Sequence, residues 1–288
     1  MTRRLRMNII LMCVICLLGS LLCGYAAMED DLPEEETVLY QKIPICVDGN
    51  LEYSGYMVDQ TTYIPFRSFC GALNLGAVVT WDEETQEATG RVEDYTISAS
   101  ADRPYIVVNG RYFYVPTGTV MYRGTLLVPL RLMCDAFSID VEWDQENGMV
   151  NLVMDQMQVC QSGDNYYQAD DVYWLSRIIN AEAGNQPLEG KISVGNVVMN
   201  RAEREGFPDT IQGVIFDTTY GIQFDPVRSG SIYMEPNEES VLAAKLCLDG
   251  CKMAGDSLYF VNPAVGSTSW FRNTRTFVVS IGDHDFYA

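Results

Sequence analysis

The chain has 288 residues, of which 48% are apolar and 20% charged, and this composition excludes a mostly disordered protein. Its 39 acidic and 19 basic residues give a net charge of −20, which repels phosphate backbones, so we expect no nucleic-acid partner. The single histidine, His284, argues against a histidine-based metal centre. We expect neither a metal site nor a cofactor.

The N-terminus has the pattern of an export signal. Arginines within the first six residues precede an apolar stretch over 9–22, and the small residues Gly24 and Ala26 suit cleavage after position 26. The stretch is shorter than the ~20 residues of a membrane span, which favours a cleaved signal at 1–26 over an uncleaved anchor. Cys23 leaves a lipoprotein open. We therefore expect a secreted, extracytoplasmic protein.

An acidic run, 27–41, is typical of a solvated linker, and an internal repeat follows it over 42–155. YIPFRSF at 63–69 matches LVPLRLM at 127–133, and each copy continues with a cysteine, a helix-like segment, a Trp-Asp pair and a strand-like stretch. An Asp-Gly or Asn-Gly step, typical of a hairpin turn, precedes each copy. The pattern predicts a duplicated unit of strands with one short helix, each copy burying one sheet face.

This repeat resembles the copper amine oxidase N-terminal-like domain, a stalk domain of many exported bacterial proteins. The resemblance implies a non-catalytic spacer or wall-facing module, through which a cell-wall or regulatory protein could bind. The region contains no histidine, so we expect no copper in it. Arg67 and Arg131 occupy equivalent positions and are predicted to be structural. Cys70 and Cys134 are also equivalent, and a disulfide between them and two free thiols both stay open.

Residues 156–169 lose the periodicity and are predicted to be a connector, and a helix follows. Asp170 is its candidate N-cap and Gly184 its stop. Apolar residues repeat at helical spacing between them and place Glu182 on the apolar stripe, in the last turn. Burial and the helix dipole would both raise the pKa of this carboxyl group, as a general acid for glycosidic cleavage requires. A carboxylate that escapes to solvent at a frayed end explains the pattern equally well.

The segment from 171 to the C-terminus carries IINAEAGNQPLEGKISVGNVVMNRAEREGFPDTIQGVIF, YGIQFDPV, SLYFVNP and IGDHDFY in this order. It resembles the cell-wall hydrolase family of spore cortex-lytic enzymes, the SleB type. The resemblance implies that 170–288 form a mainly helical domain with a small β-sheet, similar to lysozyme and lytic transglycosylases. The whole chain is then an α+β protein with a β-rich stalk domain before the catalytic domain, and its partners are peptidoglycan glycan strands.

The resemblance assigns the family's catalytic glutamate to Glu182. This residue would protonate the oxygen between N-acetylmuramic acid and N-acetylglucosamine, and its carboxylate would then assist the muramoyl 6-hydroxyl to form a 1,6-anhydro end. A conventional glycosidase needs two carboxyl groups roughly 5–10 Å apart, and Glu189 and Asp225 are the candidates for the second. Many relatives carry a glutamate where this chain has Asn185, which weakens a two-carboxylate hydrolase and leaves a one-acid transglycosylase intact.

Sugar binding needs aromatic faces and amide groups along a groove. Gln223 and Phe224, in the family's Gln-Phe motif, are the best candidates, and His284 is an accessory candidate with a structural hydrogen bond as the alternative. The further candidates are Tyr259, Asn262, Trp270 and Tyr287. Core packing is the alternative for Trp270 and for one residue of the Tyr259–Phe260 pair.

Two more features belong to the predicted helices. Gly195 lies in a predicted core helix over 194–198, where a glycine permits close approach of another element. Cys247 and Cys251 lie near the end of another helix, as two separate buried thiols or as a local disulfide.

The sequence therefore predicts a secreted peptidoglycan-degrading enzyme of the cell wall or spore cortex, of the kind used in germination, and most specifically a lytic transglycosylase. The alternatives are an N-acetylmuramoyl-L-alanine amidase, a muramidase-type hydrolase and an inactive wall-binding scaffold. Zinc amidases need more histidine ligands than the chain has. Spore cortex and vegetative wall both remain open as substrates.

Overall fold

The computed structural model describes residues 40–288 apart from Leu75, Glu93, Asp102 and Ser267. The predicted signal peptide and nearly all of the acidic linker lie outside the described residues. Within the described part of the chain, no helix is both long and apolar enough to cross a bilayer.

The β-rich region, residues 41–153, consists of short strands and helices. Its elements are β1 Gln41–Val47, β2 Asn50–Val58, β3 Thr61–Pro65, α1 Phe66–Leu73, β4 Val78–Asp82, β5 Glu87–Val92, β6 Tyr95–Ser100, β7 Tyr105–Val108, β8 Arg111–Tyr114, β9 Val120–Tyr122, β10 Thr125–Pro129, α2 Leu130–Ala136, β11 Asp140–Asp144 and β12 Met149–Val153.

The two sequence copies exchange strands. The larger sheet has the order β11-β12-β1-β2-β3-β10-β9, and the smaller sheet runs from β4 to β8 in chain order. Strands β11 and β12 of the second copy thus extend the first copy's sheet, where β12 pairs in parallel with β1. The expectation that each copy buries one sheet face of its own is wrong, because each sheet contains strands of both copies and the two sheets enclose one common core. Phe69 and Phe137, one from each copy, pack there with ring centroids 5.6 Å apart.

The two hairpin turns expected from the sequence are confirmed. Asp48 and Gly49 join β1 to β2, and Asn109 and Gly110 join β7 to β8. The φ angles are 48° and 80° in the first turn and 50° and 79° in the second. Positive φ at both central residues is the requirement of a type I′ turn, which explains the Asx-Gly pairs.

The equivalent cysteines of the two copies are free thiols rather than a disulfide. Cys70 fills the space above Gly90, because a Cβ atom on that glycine would lie 2.6 Å from the cysteine Sγ. Burial raises the pKa of both Cys70 and Cys134 to about 12. Both side chains are therefore protonated core residues at neutral pH.

The C-terminal region is mainly helical, as the sequence predicts. Its elements are α3 Gly163–Tyr166, α4 Ala169–Ala183, α5 Leu188–Ala202, α6 Ile211–Ile215, α7 Asp225–Ser229, a 3₁₀ turn Ser231–Tyr233, α8 Glu238–Leu248, β13 Tyr259–Val261, α9 Ser269–Thr274, β14 Phe277–Ile281 and β15 His284–Tyr287. The strands form a small sheet in the order β13-β15-β14.

Helix α4 begins earlier than the sequence predicts. Gln168 is the N-cap residue, and Asp170 lies in the first turn, where its charge is favourable to the helix dipole. The prediction that Asp170 caps the helix is therefore wrong. Gly184 is the C-cap residue, as predicted.

Helices α5 and α8 pack closely at a glycine, as the sequence predicts. A Cβ atom on Gly195 would lie 2.6 Å from the Sγ atom of Cys247. The Cys247 thiol is buried and donates to the carbonyl oxygen of Ile192 at 3.3 Å. Cys247 and Cys251 are two free thiols, which excludes the local disulfide.

The predicted connector, 156–169, is bonded to the β-rich region along its length. The backbone N–H groups of Gln158, Cys160 and Gly163 donate to carbonyl oxygens of residues 137, 136 and 109 at 2.8–2.9 Å. The segment therefore holds a defined position, and residues Gln41–Ala288 form one compact unit.

A buried carboxylate, Asp249 at the end of α8, joins the β-rich region to the helices. Its side chain is 1% exposed. The guanidinium of Arg111 donates to its Oδ1 from Nε at 2.8 Å and from Nη2 at 2.5 Å. The Tyr112 N–H donates to Oδ2 at 3.0 Å, and the Tyr167 hydroxyl donates to the same oxygen. These donors offset both the desolvation of the carboxylate and its unfavourable position at the negative end of α8.

Asp249→Asn should lower the free energy of unfolding by about 3 kcal/mol, because it leaves the Arg111 cation unpaired in a buried site. Arg103→Gln is the matched control, since it breaks a pair with Glu87 whose arginine is 40% exposed and should cost no more than about 1 kcal/mol. Chemical denaturation of both variants measures the two losses. Equal small losses would show that Asp249 does not join the two regions.

Candidate active site

A cavity of about 690 Å³ opens in the helical region. It brings together most of the sequence-predicted site residues, namely Glu182, Gln223, Phe224, Asp225, Tyr259, Asn262, Trp270 and His284, and its other lining residues include Arg201, Ile222, Phe260, Val265 and Phe271. Glu189 is not among the lining residues. It lies in the first turn of α5, where its charge acts on Tyr114 and Cys251.

Glu182 lies in the last turn of α4 and lines the cavity. Burial raises the pKa of its carboxyl group to about 7, and the negative charge of Asp225 adds to the rise. The direction expected from the sequence is confirmed, with burial as the main cause. The side chain is partly buried, which argues against the alternative of a frayed helix end in bulk solvent.

The end of α4 is fixed by Lys191 of α5 and by Asn237, the N-cap residue of α8. The Asn237 N–H donates to Asn180 Oδ1 at 3.1 Å, and Asn237 Nδ2 donates to the carbonyl oxygen of Gly184 at 3.3 Å. Lys191 Nζ donates to the carbonyl oxygen of Gln186 at 2.6 Å and pairs with Glu239. The bond from Asn237 Nδ2 satisfies the carbonyl group of the C-cap residue, one of the groups that a helix end leaves free, and the bond from Lys191 fixes the turn that follows. Together these donors hold Glu182 in place.

Gln186 connects this helix end to the turn before β15. Its Oε1 accepts from the Asp283 N–H at 2.9 Å, and its Nε2 donates to Asp283 Oδ2 at 2.9 Å. The next residue, His284, is 7% exposed, and its ring lies edge-on to Phe260 at 5.3 Å. Burial lowers the pKa of His284, so the ring is neutral at pH 7. Its Nδ1 is buried without a partner among the described residues.

Three polar side chains of α5 hold the loop that leads into β13. Asn196 Nδ2 donates to the carbonyl oxygen of Cys251 at 2.7 Å, and Asn200 Nδ2 donates to that of Ser257 at 3.0 Å. Arg201 Nε donates to the carbonyl oxygen of Leu258 at 2.7 Å. The loop is therefore held against α5, and Tyr259, which comes directly after it, lines the cavity. The sequence analysis did not identify these three residues as a set. The spacing of Asn196 and Asn200, four residues apart among the apolar residues of the second half of α5, could have indicated it.

The aromatic candidates divide between the cavity rim and the core. Trp270 is 50% exposed, and its ring lies edge-on to Tyr259 at 6.2 Å, so it has a free face. Arg275 lies over both rings, 4.6 Å and 4.9 Å from their centroids. Phe224 reaches the cavity but is 2% exposed, and Tyr287 is 1% exposed and outside the lining. These two side chains pack in the core rather than offer a face to a ligand.

The amide candidates are better exposed. Gln223 lies on the surface, and its Nε2 donates to the carbonyl oxygen of Gly221 at 2.9 Å. This bond uses the nitrogen of the amide and not its oxygen. Asn262 Oδ1 accepts from the Ala264 N–H at 2.9 Å and so stabilises the turn after β13. The cavity thus combines one acid with a pKa near neutrality, a second carboxylate, aromatic faces and amide groups.

Comparison with known proteins identifies two families along the chain. Residues 185–287 match the Cell Wall Hydrolase family, and residues 46–152 match the Copper amine oxidase N-terminal domain. The first match begins three residues after Glu182. The second family is named for copper, but residues 46–152 contain no histidine. Across the described residues, no group of three or more histidine, cysteine or acidic side chains is placed to hold a metal, so the described part of this region does not fit a copper site.

The chain is similar over its C-terminal part to spore cortex-lytic enzymes. That of Oceanobacillus iheyensis is 33% identical over 120 residues, or 42% of each chain, and that of Bacillus cereus is 32% identical over 122 residues, or 42% of this chain and 46% of the relative. The catalytic domain of the germination-specific lytic transglycosylase SleB from Bacillus anthracis is 31% identical, with 43% of this chain and 98% of that domain covered and a TM-score of 0.39. The chain spans less than half the length of the curated relatives it matches.

The raised pKa of Glu182 predicts a stability difference that depends on pH. The carboxyl pKa is 4.5 in a model compound and about 7 in the fold, so ionisation destabilises the fold increasingly from pH 4.5 to pH 7. Glu182→Gln removes this effect. The difference in free energy of unfolding, variant minus wild type, should therefore increase by up to about 3 kcal/mol between pH 4.5 and pH 7. Below and above this interval the difference should not change with pH.

Denaturation of both proteins at several pH values between 4 and 8 measures this difference. Glu203→Gln is the control, because Glu203 is exposed at the end of α5 and lies outside the cavity. A level difference for Glu182→Gln over the whole range would mean that the carboxyl group has an ordinary pKa.

Proposed function

Since the chain carries a cell wall hydrolase domain preceded by a copper amine oxidase N-terminal-like domain, we propose that it is a secreted peptidoglycan lytic transglycosylase. It cleaves the bond between N-acetylmuramic acid and N-acetylglucosamine, and Glu182 is its one catalytic acid and base. The observation that carries the proposal is the pKa of about 7 at Glu182, inside a cavity with aromatic and amide groups.

The reaction needs one carboxyl group in two states. Protonated Glu182 donates its proton to the glycosidic oxygen, the bond from this oxygen to the muramoyl anomeric carbon breaks, and N-acetylglucosamine leaves with a free 4-hydroxyl group. The Glu182 carboxylate then accepts the proton of the muramoyl 6-hydroxyl while that oxygen bonds to the anomeric carbon. The product has a 1,6-anhydro end, no water is consumed, and Glu182 regains its proton. A pKa near the working pH suits both steps.

The other cavity residues fit this reaction. The anomeric carbon gains positive charge as its bond breaks, and Asp225 lines the same cavity as Glu182 and acts on it electrostatically. The Asp225 side chain is 88% exposed and lies 3.6 Å from Arg228. A negative charge in the cavity stabilises the transition state more than the ground state. Trp270 and Tyr259 supply faces for sugar rings, and Gln223 and Asn262 supply amide groups for their hydroxyl and N-acetyl substituents.

A two-carboxylate muramidase is the second candidate, because the charge of Asp225 acts on Glu182. In that reaction Asp225 activates a water molecule, and the product has a reducing end. Mass spectrometry of the released fragments separates the reactions by mass, since the anhydro product lacks one water. An amidase releases peptides, and an inactive scaffold releases nothing.

The β-rich region serves as the wall-facing module in this proposal, and it binds a wall component or a regulatory protein. Its contacts through Arg111 and Tyr112 with buried Asp249 support a fixed position relative to the catalytic groove. The protein acts outside the cytoplasm, on vegetative wall or on spore cortex, and digestion of both kinds of peptidoglycan distinguishes these substrates.

Glu182→Gln should lower the rate of peptidoglycan digestion by ~10²-fold or more, because it removes the proton donor. Sacculus binding should persist, since the amide keeps the shape of the side chain. Glu203→Gln again serves as the control and should digest at the wild-type rate. An undiminished rate in Glu182→Gln would reject this residue as the catalytic acid.

The turnover rate should fall as pH rises above about 7, because only the protonated form of Glu182 donates a proton. Asp225→Asn removes a negative charge that raises the pKa of Glu182, so the alkaline limb of the profile should move to lower pH. Steady-state digestion across pH 5–9 measures this shift. If Asp225 is instead the base of a hydrolase, Asp225→Asn moves the limb in the same way but also lowers the rate at acidic pH, where Glu182 is protonated in both proteins.

A further inference from the structure

Arg201 differs from the other buried cations of the helical region. Arg177 pairs with Glu235 at 2.6 Å, and Lys191 pairs with Glu239. Arg201 is 6% exposed, yet none of the ion pairs between described residues includes it. The carboxylate of Asp217 acts on Arg201 electrostatically but forms no ion pair with it. A buried charge without a directly bonded counterion is costly, and this one lies at the wall of the candidate active site.

The surroundings fix the direction of the guanidinium group. Its Nε donates to the carbonyl oxygen of Leu258 at 2.7 Å, and its carbon lies 5.3 Å from the ring centroid of Phe224 and 5.4 Å from that of Tyr259. The backbone bond and the rings hold the plane of the group. Among the hydrogen bonds of the described residues, Nε is the guanidinium atom that has a protein acceptor. Because the side chain lines the cavity, its terminal nitrogens are available as donors to a ligand there.

The cavity is therefore polarised. It is lined by two carboxyl groups, Glu182 and Asp225, and by the Arg201 cation. Burial and the charge of Asp225 raise the pKa of Glu182, and Arg201 is not among the causes of that shift. A ligand that carries one negative group would be repelled by Asp225 and attracted by Arg201, so the charges select an orientation as well as a ligand.

We infer that Arg201 binds a carboxylate of the muramoyl unit and thereby sets the substrate preference of the groove. The inference rests on the proposed function. A planar guanidinium with two free nitrogens matches a carboxylate, with which it forms paired charge-assisted hydrogen bonds. Peptidoglycan offers this group in two places: the lactyl carboxylate of a muramoyl residue whose peptide has been removed, and the carboxylates of the stem peptide.

Binding to three tetrasaccharides of alternating N-acetylglucosamine and N-acetylmuramic acid tests the inference. The first has free lactyl carboxylates, the second has these groups reduced to alcohols, and the third carries a dipeptide with a free carboxylate on each lactyl group. Titration calorimetry uses the full chain with Glu182→Gln, so that no cleavage occurs. We expect the reduced saccharide to bind roughly tenfold more weakly than at least one of the charged saccharides.

The charged saccharide that binds tighter identifies the source of the carboxylate. In the Glu182→Gln background, adding Arg201→Gln should bring the ratio of affinities for charged and reduced saccharides close to one. Adding Arg201→Lys instead should leave an intermediate ratio, because lysine keeps the charge but not the planar group. Adding Arg177→Gln, a buried arginine outside the cavity, should leave the ratio unchanged.

The ratio separates recognition from stability, since partial unfolding weakens the binding of all saccharides equally. Equal affinities for the charged and reduced saccharides, or a tenfold preference that survives Arg201→Gln, would overturn the inference. If Arg201→Gln does not fold, a preference of undiminished size in Arg201→Lys has the same meaning. Failure of the Glu182-containing protein to cleave any saccharide would instead contradict the proposed function and leave the binding result standing.

Discussion

The candidate site depends on one constraint: a carboxyl group must stay partly buried at a helix end that would otherwise fray. The carbonyl groups of Gly184 and Gln186, directly after α4, accept hydrogen bonds from the side chains of Asn237 and Lys191. Because these donors hold the chain, Glu182 remains in the cavity and out of bulk water. Its pKa follows from that placement, and the nearby charge of Asp225 adds to it.

The loop before β13, which precedes Tyr259 of the cavity lining, is held by the same kind of interaction. Asn196, Asn200 and Arg201 replace apolar residues along α5, and each bonds a backbone carbonyl of the loop before β13. A loop without regular structure needs such partners wherever it is buried. Polar side chains thus fix backbone carbonyl groups both after α4 and before β13, and Glu182 and Tyr259 lie on backbone that is held in this way.

Local pattern was enough to predict the helix of Glu182, the hairpin turns, and the close approach at Gly195, because each depends on neighbours in sequence. Local pattern could not predict the exchange of strands between the repeated copies. The repeat shows that two strands are equivalent in sequence, but it does not show which distant strand each of them pairs with. Phe224 and Trp270 show the same limit. Both are aromatic residues in family-like motifs, and only the three-dimensional packing shows that one is core and the other has a free face.

The Asp249 cluster has a mechanical consequence. A flexible tether would let the candidate site take many orientations relative to the β-rich region, but the bonds from Arg111, Tyr112 and Tyr167 remove that freedom. Under the proposed function, a β-rich region bound to one point of a sacculus would let the groove reach only glycan at a fixed distance and angle from that point. The geometry of the protein would then determine the spacing between cleaved bonds.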